Sequence, residues 1–149
     1  MDNLKNTLIE NGFSFARHEV RPWGAFWEIV EQKKFTQLYF PDVEVDTKFI
    51  SPKILYINPK SRLSWQYHNR RKEIWKVVQG PVGIITSDTN EPSEMNISYV
   101  DDIITIDLRE RHRIVRLDSP AIIAEIWCHC DEQLSDENDI VRIDDDYKR

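Results

Sequence analysis

Ser64-Trp65-Gln66-Tyr67-His68-Asn69-Arg70-Arg71-Lys72-Glu73 is the stretch on which the reading of this chain turns. Side chains alternate along an extended strand, so Gln66 and His68 point to the same face. The polar residues 69–72 suffice for a tight hairpin turn, after which Glu73 returns on the neighbouring strand beside His68. A lone histidine further on, His112, brings the set to two imidazole nitrogens, one carboxylate and one amide oxygen. That mixture suits a divalent zinc, manganese, iron or cobalt ion with open coordination positions. Such an ion is a Lewis acid toward carbonyl and hydroxyl oxygens. The plain alternative is a solvated polar turn carrying an exposed His and Glu.

Outward from this stretch the chain reads as short β-rich runs at 25–30, 37–40, 49–57, 63–68, 73–78, 82–86, 96–100, 102–106, 112–117 and 121–128. Asn58-Pro59, Gly80-Pro81 and the segment from Asp88 to Pro92 break between them. Many short strands at even spacing predict an all-β sandwich or barrel. Ile54-Leu55-Tyr56-Ile57 and Ile122-Ile123-Ala124 are apolar on consecutive residues. They read as strands covered on both faces, by a decorated exterior or by a dimer partner. Residues 2–11 read as a short helix capped by Asp2 or Asn3 and closed by Gly12, with Leu4, Leu8 and Ile9 on one face. The expected organisation is one domain: helix and lead-in at 1–20, barrel at 21–130, and a polar arm at 131–149 that packs across the surface.

With 149 residues, 40% hydrophobic and 31% charged, the composition is that of one soluble globular domain large enough for its own core. Only four glycines are present, and no Gly-rich phosphate loop can be found. The net charge is −6, with acidic residues crowded at Asp131, Glu132, Asp136, Glu137, Asp139, Asp144, Asp145 and Asp146. This argues against nucleic acid or an anionic membrane as partner. Arg62, Arg70 and Arg71 beside the candidate ligands suit a small anion such as a sugar phosphate. The two cysteines, Cys128 and Cys130, flank His129 and are expected as reduced thiols of a cytoplasmic protein. A Cys-His-Cys metal site is the alternative, but no second ligand pair accompanies it. The N-terminus lacks a signal-peptide pattern, and no apolar run is long enough to span a membrane.

The spacing Gln66-x-His68-x4-Glu73-x6-Gly80 resembles the first motif of the cupin superfamily. Arg62-Leu63-Ser64-Trp65-Gln66-Tyr67-His68, with Arg71, Glu73, Trp75, Val77 and Gly80, is similar to the type II mannose-6-phosphate isomerase domain, which also carries Gln at the first ligand position. Arg21-Pro22-Trp23-Gly24 matches that domain's leading phrase, and Asp139 to Arg149 its closing one. The chain departs from the pattern at Lys60, where a glycine is expected, and at Arg70, where the family has a further histidine. In the second motif, usually Pro-x-Gly-x-x-His-Arg, Asp107 to Arg113 keeps only the His-Arg pair. The family domain is usually fused behind a GDP-mannose pyrophosphorylase and is expected here as a stand-alone unit.

The resemblance implies a cupin double-stranded β-helix, or jelly-roll barrel, with a short N-terminal helix and a C-terminal arm. It implies a metal-dependent aldose–ketose isomerase that interconverts mannose 6-phosphate and fructose 6-phosphate through an enediolate. The alternatives are an isomerase of another sugar phosphate (a heptose phosphate, for example) or of a nucleotide-linked sugar, or a cupin that binds sugar or metal without turnover. Gln66, His68, Glu73 and His112 are the expected metal ligands. Lys53 matches a lysine of the family and would act as base or hold a sugar oxygen, unless it is a surface residue. Glu125, acidic among Ile123, Ala124 and Ile126, would shuttle protons if buried. Arg142 and Arg62 are candidates for the phosphate or the open-chain sugar, Arg71 for the anion, and Trp75 for a wall of the pocket. Arg142 and Trp75 also suit a surface ion pair and core packing. A homodimer through strand edges is the expected assembly.

Overall fold

The computed structural model describes residues 1–130 and 134–148. Asp131 and Glu132 of the acidic run, and Arg149 of the closing phrase, lie outside the described residues. The elements are α1 (Asp2–Glu10), β1 (Phe15–Arg21), β2 (Gly24–Ile29), α2 (Gln32–Tyr39), β3 (Ile50–Ile57), β4 (Trp65–Tyr67), β5 (Arg71–Gln79), β6 (Val82–Ser87), β7 (Asn96–Ser98), β8 (Ile103–Ile106), β9 (Arg111–Arg116), β10 (Ala121–His129) and β11 (Val141–Asp144). They form an antiparallel jelly roll. One sheet runs β1-β2-β3-β10-β5-β8 and the other β11-β4-β9-β6-β7. Among the described residues no helix is long and apolar enough to cross a membrane.

Strand alternation explains the doubly apolar runs. Leu55, Ile57, Trp75, Val77 and Ile123 face inward and pack between the sheets with Ile84 and Ile114. Ile54, Ala124 and Ile126 face outward, where Leu8, Phe13, Phe35 and Phe40 cover them. The exterior cover is therefore this chain's own helical layer. Each fully buried large side chain in these layers contributes roughly 1.5–3 kcal/mol.

Several boundaries differ from the sequence expectation. Residues 37–39, read as strand, complete α2, because Phe35 and Tyr39 stand one helical turn apart with ring centroids 4.8 Å from each other. The lead-in contains β1, whose residues are alternately half-buried and exposed and so show no apolar alternation. The arm contributes β11, entirely exposed, which pairs with β4. Met1, not Asp2 or Asn3, precedes α1 as its cap, without a side-chain bond. Ile9 is exposed rather than sharing the buried face of Leu8. Gly12 does end α1, in the left-handed region, with its N–H donating to the Ile9 carbonyl.

The largest correction concerns residues 68–72. They form no hairpin, since β4 belongs to one sheet and β5 to the other. The chain crosses between sheets here, so Glu73 approaches His68 across the interior. Lys60 and Arg109 occupy two positions at which the resembled motifs carry glycine and this chain does not, and both have left-handed φ (56° and 61°). The backbone conformation persists without the glycine. Gly24 (φ 151°) is irreplaceable in a different way: a Cβ there would lie 1.9 Å from the Tyr56 carbonyl oxygen, where β2 pairs with β3. Gly24→Ala is expected to lose at least about 2 kcal/mol of stability in urea unfolding, from strain and displaced backbone together.

Candidate metal centre and cleft

Three buried side chains converge inside the sandwich. His68 follows β4, Glu73 stands on β5 and His112 on β9. His68 Nε2 lies 3.0 Å from Glu73 Oε1 and 3.1 Å from His112 Nε2, and His112 Nε2 lies 3.6 Å from Glu73 Oε2. Each ring is turned by a hydrogen bond from its other nitrogen. His68 Nδ1 donates to the Asp139 carbonyl and His112 Nδ1 to the Glu110 carbonyl, each at 2.8 Å. With Nδ1 donating, both Nε2 lone pairs face the centre beside a carboxylate.

Three such acceptors in a buried space repel unless a cation lies among them. The Arg71 guanidinium, donating to Glu73 Oε1 at 2.9 Å and 3.3 Å from His68 Nε2, meets that need in part, and a divalent ion would meet the rest. Burial pulls His112 down to about 4, against the opposite pull of Glu73, so its imidazole is neutral near pH 7 and suited to bind metal. Burial by itself would raise Glu73, but His68, Arg71 and the hydrogen bond from His68 hold it well below the usual carboxylate range. The residues therefore fit a divalent ion, and His68, Glu73 and His112 can hold one.

Register sets the neighbours. Arg142 pairs with Gln66, and Gln66 with His112, which places the three on one face of adjacent strands. Gln66 is thus beside the group, with its Oε1 accepting from Ser64 Oγ at 2.5 Å. On the opposite sheet the row runs Arg17–Glu28–Lys53–Glu125–Trp75. Trp75 Nε1 donates to Glu73 Oε2 and to Glu125 Oε1, both at 3.1 Å. Two carboxylates sharing one donor in a dry interior separate in acidity. Burial first, then the charge of Glu73, pushes Glu125 up to about 8. Lys53 is buried, with Nζ 3.3 Å above the Trp127 ring and 3.2 Å from Glu137 Oε1. Burial lowers its pKa against the raising pull of Glu125 and Glu137.

A cleft of about 70 Å³ opens between the two rows, lined by Arg21, Lys53, Gln66, Glu73, Glu125 and Arg142 among others. Arg71 also touches it, but its guanidinium is committed within the protein. Nε donates to Glu73 Oε1 at 2.9 Å, Nη1 to Ser135 Oγ and the Asp136 carbonyl, and the group stacks 3.4 Å over Trp127. Trp75 packs in the inter-sheet core, behind the cleft wall. Arg62 lies outside, gripped in two-pronged fashion by Asp146 at 2.7 Å. The structure thus gathers Gln66, His68, Glu73, His112, Lys53, Glu125 and Arg142, and leaves Arg62 apart. Cys128 and Cys130 are free thiols, and His129 between them bonds Ser51 Oγ and the Ser135 N–H. Burial raises Cys128 to about 11.

Trp127, Ser135, Glu137 and Asp139 stand at the site and were given no role there from the sequence. Trp127 shares the inward face of Glu125 by strand alternation, a signal that was available. Ser135, Glu137 and Asp139 come from the arm, where an acidic run reads as solvated surface.

The sequence matches, over residues 10–145, the family model described as mannose-6-phosphate isomerase C-terminal. No curated protein matches it. Among solved structures, the capsular polysaccharide assembling protein CapF of Staphylococcus aureus is 18% identical, with TM-score 0.61 over 91% of this chain and 34% of its own. A mutant of Bacillus subtilis oxalate decarboxylase OxdC is 14% identical, with TM-score 0.63 over 85% of this chain and 30% of its own. The plu4264 protein of Photorhabdus luminescens is 14% identical, with TM-score 0.54 over 78% and 84%. This chain spans about a third of the length of CapF and of the decarboxylase. At such identities the likeness establishes the fold, a cupin jelly roll.

Proposed function

The chain belongs to the mannose-6-phosphate isomerase C-terminal family, and from that membership and the cleft we propose that it is a metal-dependent aldose–ketose isomerase of phosphosugars, with mannose 6-phosphate and fructose 6-phosphate as the first candidate pair. The observation that carries this reading is the buried His68–Glu73–His112 group with a second, high-pKa carboxyl, Glu125, one hydrogen-bond donor away.

Isomerisation moves one proton from C2 to C1 and another between their oxygens, with no net redox change. A divalent ion held by His68, Glu73 and His112 would polarise the substrate oxygens and stabilise their negative charge. Glu125 is the group suited to carry the carbon-bound proton, since its pKa of about 8 lies near the working pH. Lys53 stands next to it, between Glu125 on β10 and Glu137 from the arm, and supplies an ammonium to hold a sugar oxygen. Arg142 and Arg21 edge the same cleft and supply the charge for a phosphate. Strands are spaced about 4.8 Å apart, so Arg142, two strands from His112, stands roughly 10 Å away. That separation favours an extended sugar with phosphate on its far carbon, where remote binding energy aligns the reacting end.

The test is proton exchange in D₂O with a panel of sugar phosphates and the purified, metal-loaded chain. Solvent deuterium should enter C1 or C2 of one hexose phosphate and be suppressed by a chelator. Binding of a sugar phosphate with no exchange across the panel would reject the isomerase reading in favour of a binding protein.

A further inference from the structure

We infer that Asp139 is the positioning residue of the metal group, its carbonyl fixing the His68 ring and its carboxylate fixing the bend on which His68 stands. The inference rests on the metal reading above. Asp139 is 5% exposed, and its carbonyl and carboxylate both reach the segment that carries His68. Its carbonyl accepts from His68 Nδ1 at 2.8 Å. Its carboxylate accepts from the N–H groups of Asn69 at 3.0 Å and Arg70 at 2.9 Å, and from Ser135 Oγ at 2.6 Å. Asn69 and Arg70 are the residues at which the chain leaves one sheet for the other. The carbonyls of His68 and Arg70 accept from the N–H groups of Arg109 and Cys130, while the N–H groups of Asn69 and Arg70 take the Asp139 carboxylate as their acceptor.

The same residue reaches the second ligand. Ser135 Oγ, held by Asp139, accepts from Arg71 Nη1 at 2.9 Å, and Arg71 Nε donates to Glu73 Oε1 at 2.9 Å. His112 is anchored separately, by the Glu110 carbonyl on its own side of the barrel. Two of the three candidate ligands therefore take their orientation from residues 135–139. An outer partner that sets the ring and tautomer of a ligating histidine typically governs metal affinity by 10–100-fold.

The alternative is that Asp139 merely ties down the arm. Metal affinity and the His68 ring proton separate the two. In the full chain, Asp139→Ala is expected to weaken Zn²⁺ binding, measured by competition with a chromogenic chelator, by about 10–100-fold. In the metal-free protein the His68 Nδ1–H resonance should be protected from exchange with water, and the protection should fall in D139A, where the accepting carbonyl remains but the carboxylate that holds it in place is gone. Asp136→Ala, on the same segment but exposed and paired with Arg70, should change neither. Should D139A fail to fold, Asp139→Asn keeps the shape and one acceptor oxygen and should show a smaller loss of the same kind. A folded variant with wild-type Zn²⁺ affinity and a protected His68 proton would overturn the inference while leaving the metal reading intact. Wild-type protein that takes up no divalent ion would overturn both.

Discussion

Glu125→Gln is expected to lower kcat for sugar-phosphate isomerisation by about two to four orders of magnitude, with KM and divalent-ion uptake little changed. The amide keeps the volume of the carboxyl and accepts from Trp75 Nε1 as before. It can neither take a carbon-bound proton nor give one back. A loss confined to kcat marks an interaction used only in the transition state. The same variant makes a second, opposite prediction. In the native chain burial and Glu73 push Glu125 up to about 8, against Lys53 and Arg71. In the unfolded chain a glutamate ionises near ~4.3. Between those values the native state keeps a proton that the unfolded state has lost. Stability therefore falls as pH rises through this window, and the loss is complete above about 8. Gln cannot ionise, so in chelator-treated protein E125Q should gain Tm relative to wild type as pH rises from 5 to 9. Parallel Tm curves would show that Glu125 is not held protonated, and unchanged kcat would remove it from the proton path.

The legible parts of this sequence were those where side-chain pattern and backbone agree. Ile54 to Ile57 and Ile122 to Ala124 read as strands covered on both faces because consecutive apolar residues have no other economical burial. Of the four expected ligands, His68, Glu73 and His112 do converge as a group that can hold a metal ion, but across the interior and not through the hairpin that the spacing suggested. What failed was everything decided by a distant partner. β1 and β11 bury little, so they exist as strands only because β2 and β4 offer them open edges. The 68–72 segment has the composition of a hairpin turn and serves instead as a crossing between sheets, a choice made by the Asp139 carboxylate seventy residues away in the chain. Arg62 and Arg71 looked alike as anion binders. Their fates were set by Asp146 in one case and by Glu73 and Ser135 in the other. Glu125 was conspicuous among aliphatic residues, whereas Trp75, expected as a pocket wall or a core residue, showed its bond to Glu125 only once the strands were in register.

His68→Ala and His112→Ala are each expected to end stoichiometric divalent-ion binding and to bring isomerase activity to background. Lewis-acid stabilisation worth several kcal/mol is lost with the ion, and at 1.36 kcal/mol per tenfold this removes at least about three orders of magnitude. The two variants should differ in the absence of metal. His68 Nε2 lies 3.0 Å from Glu73 Oε1, so its removal takes a partner from a buried carboxylate. Arg71 Nε and Trp75 Nε1 remain on Glu73 and limit the damage to less than the roughly 3–5 kcal/mol of a fully orphaned buried charge. His112 is neutral and stands 3.6 Å from the other Glu73 oxygen, so its loss leaves mainly a cavity. Chelator-treated H68A should therefore melt below chelator-treated H112A. Added Zn²⁺ at a hundred times its Kd should stabilise wild type by about 2.7 kcal/mol and neither variant. His18→Ala, which removes a ring stacked on Trp27 outside the barrel interior, should keep the full metal response. A Zn²⁺-dependent rise in Tm that survives both H68A and H112A would mean that the ion binds elsewhere, and the convergence of these rings would then be a packing arrangement only.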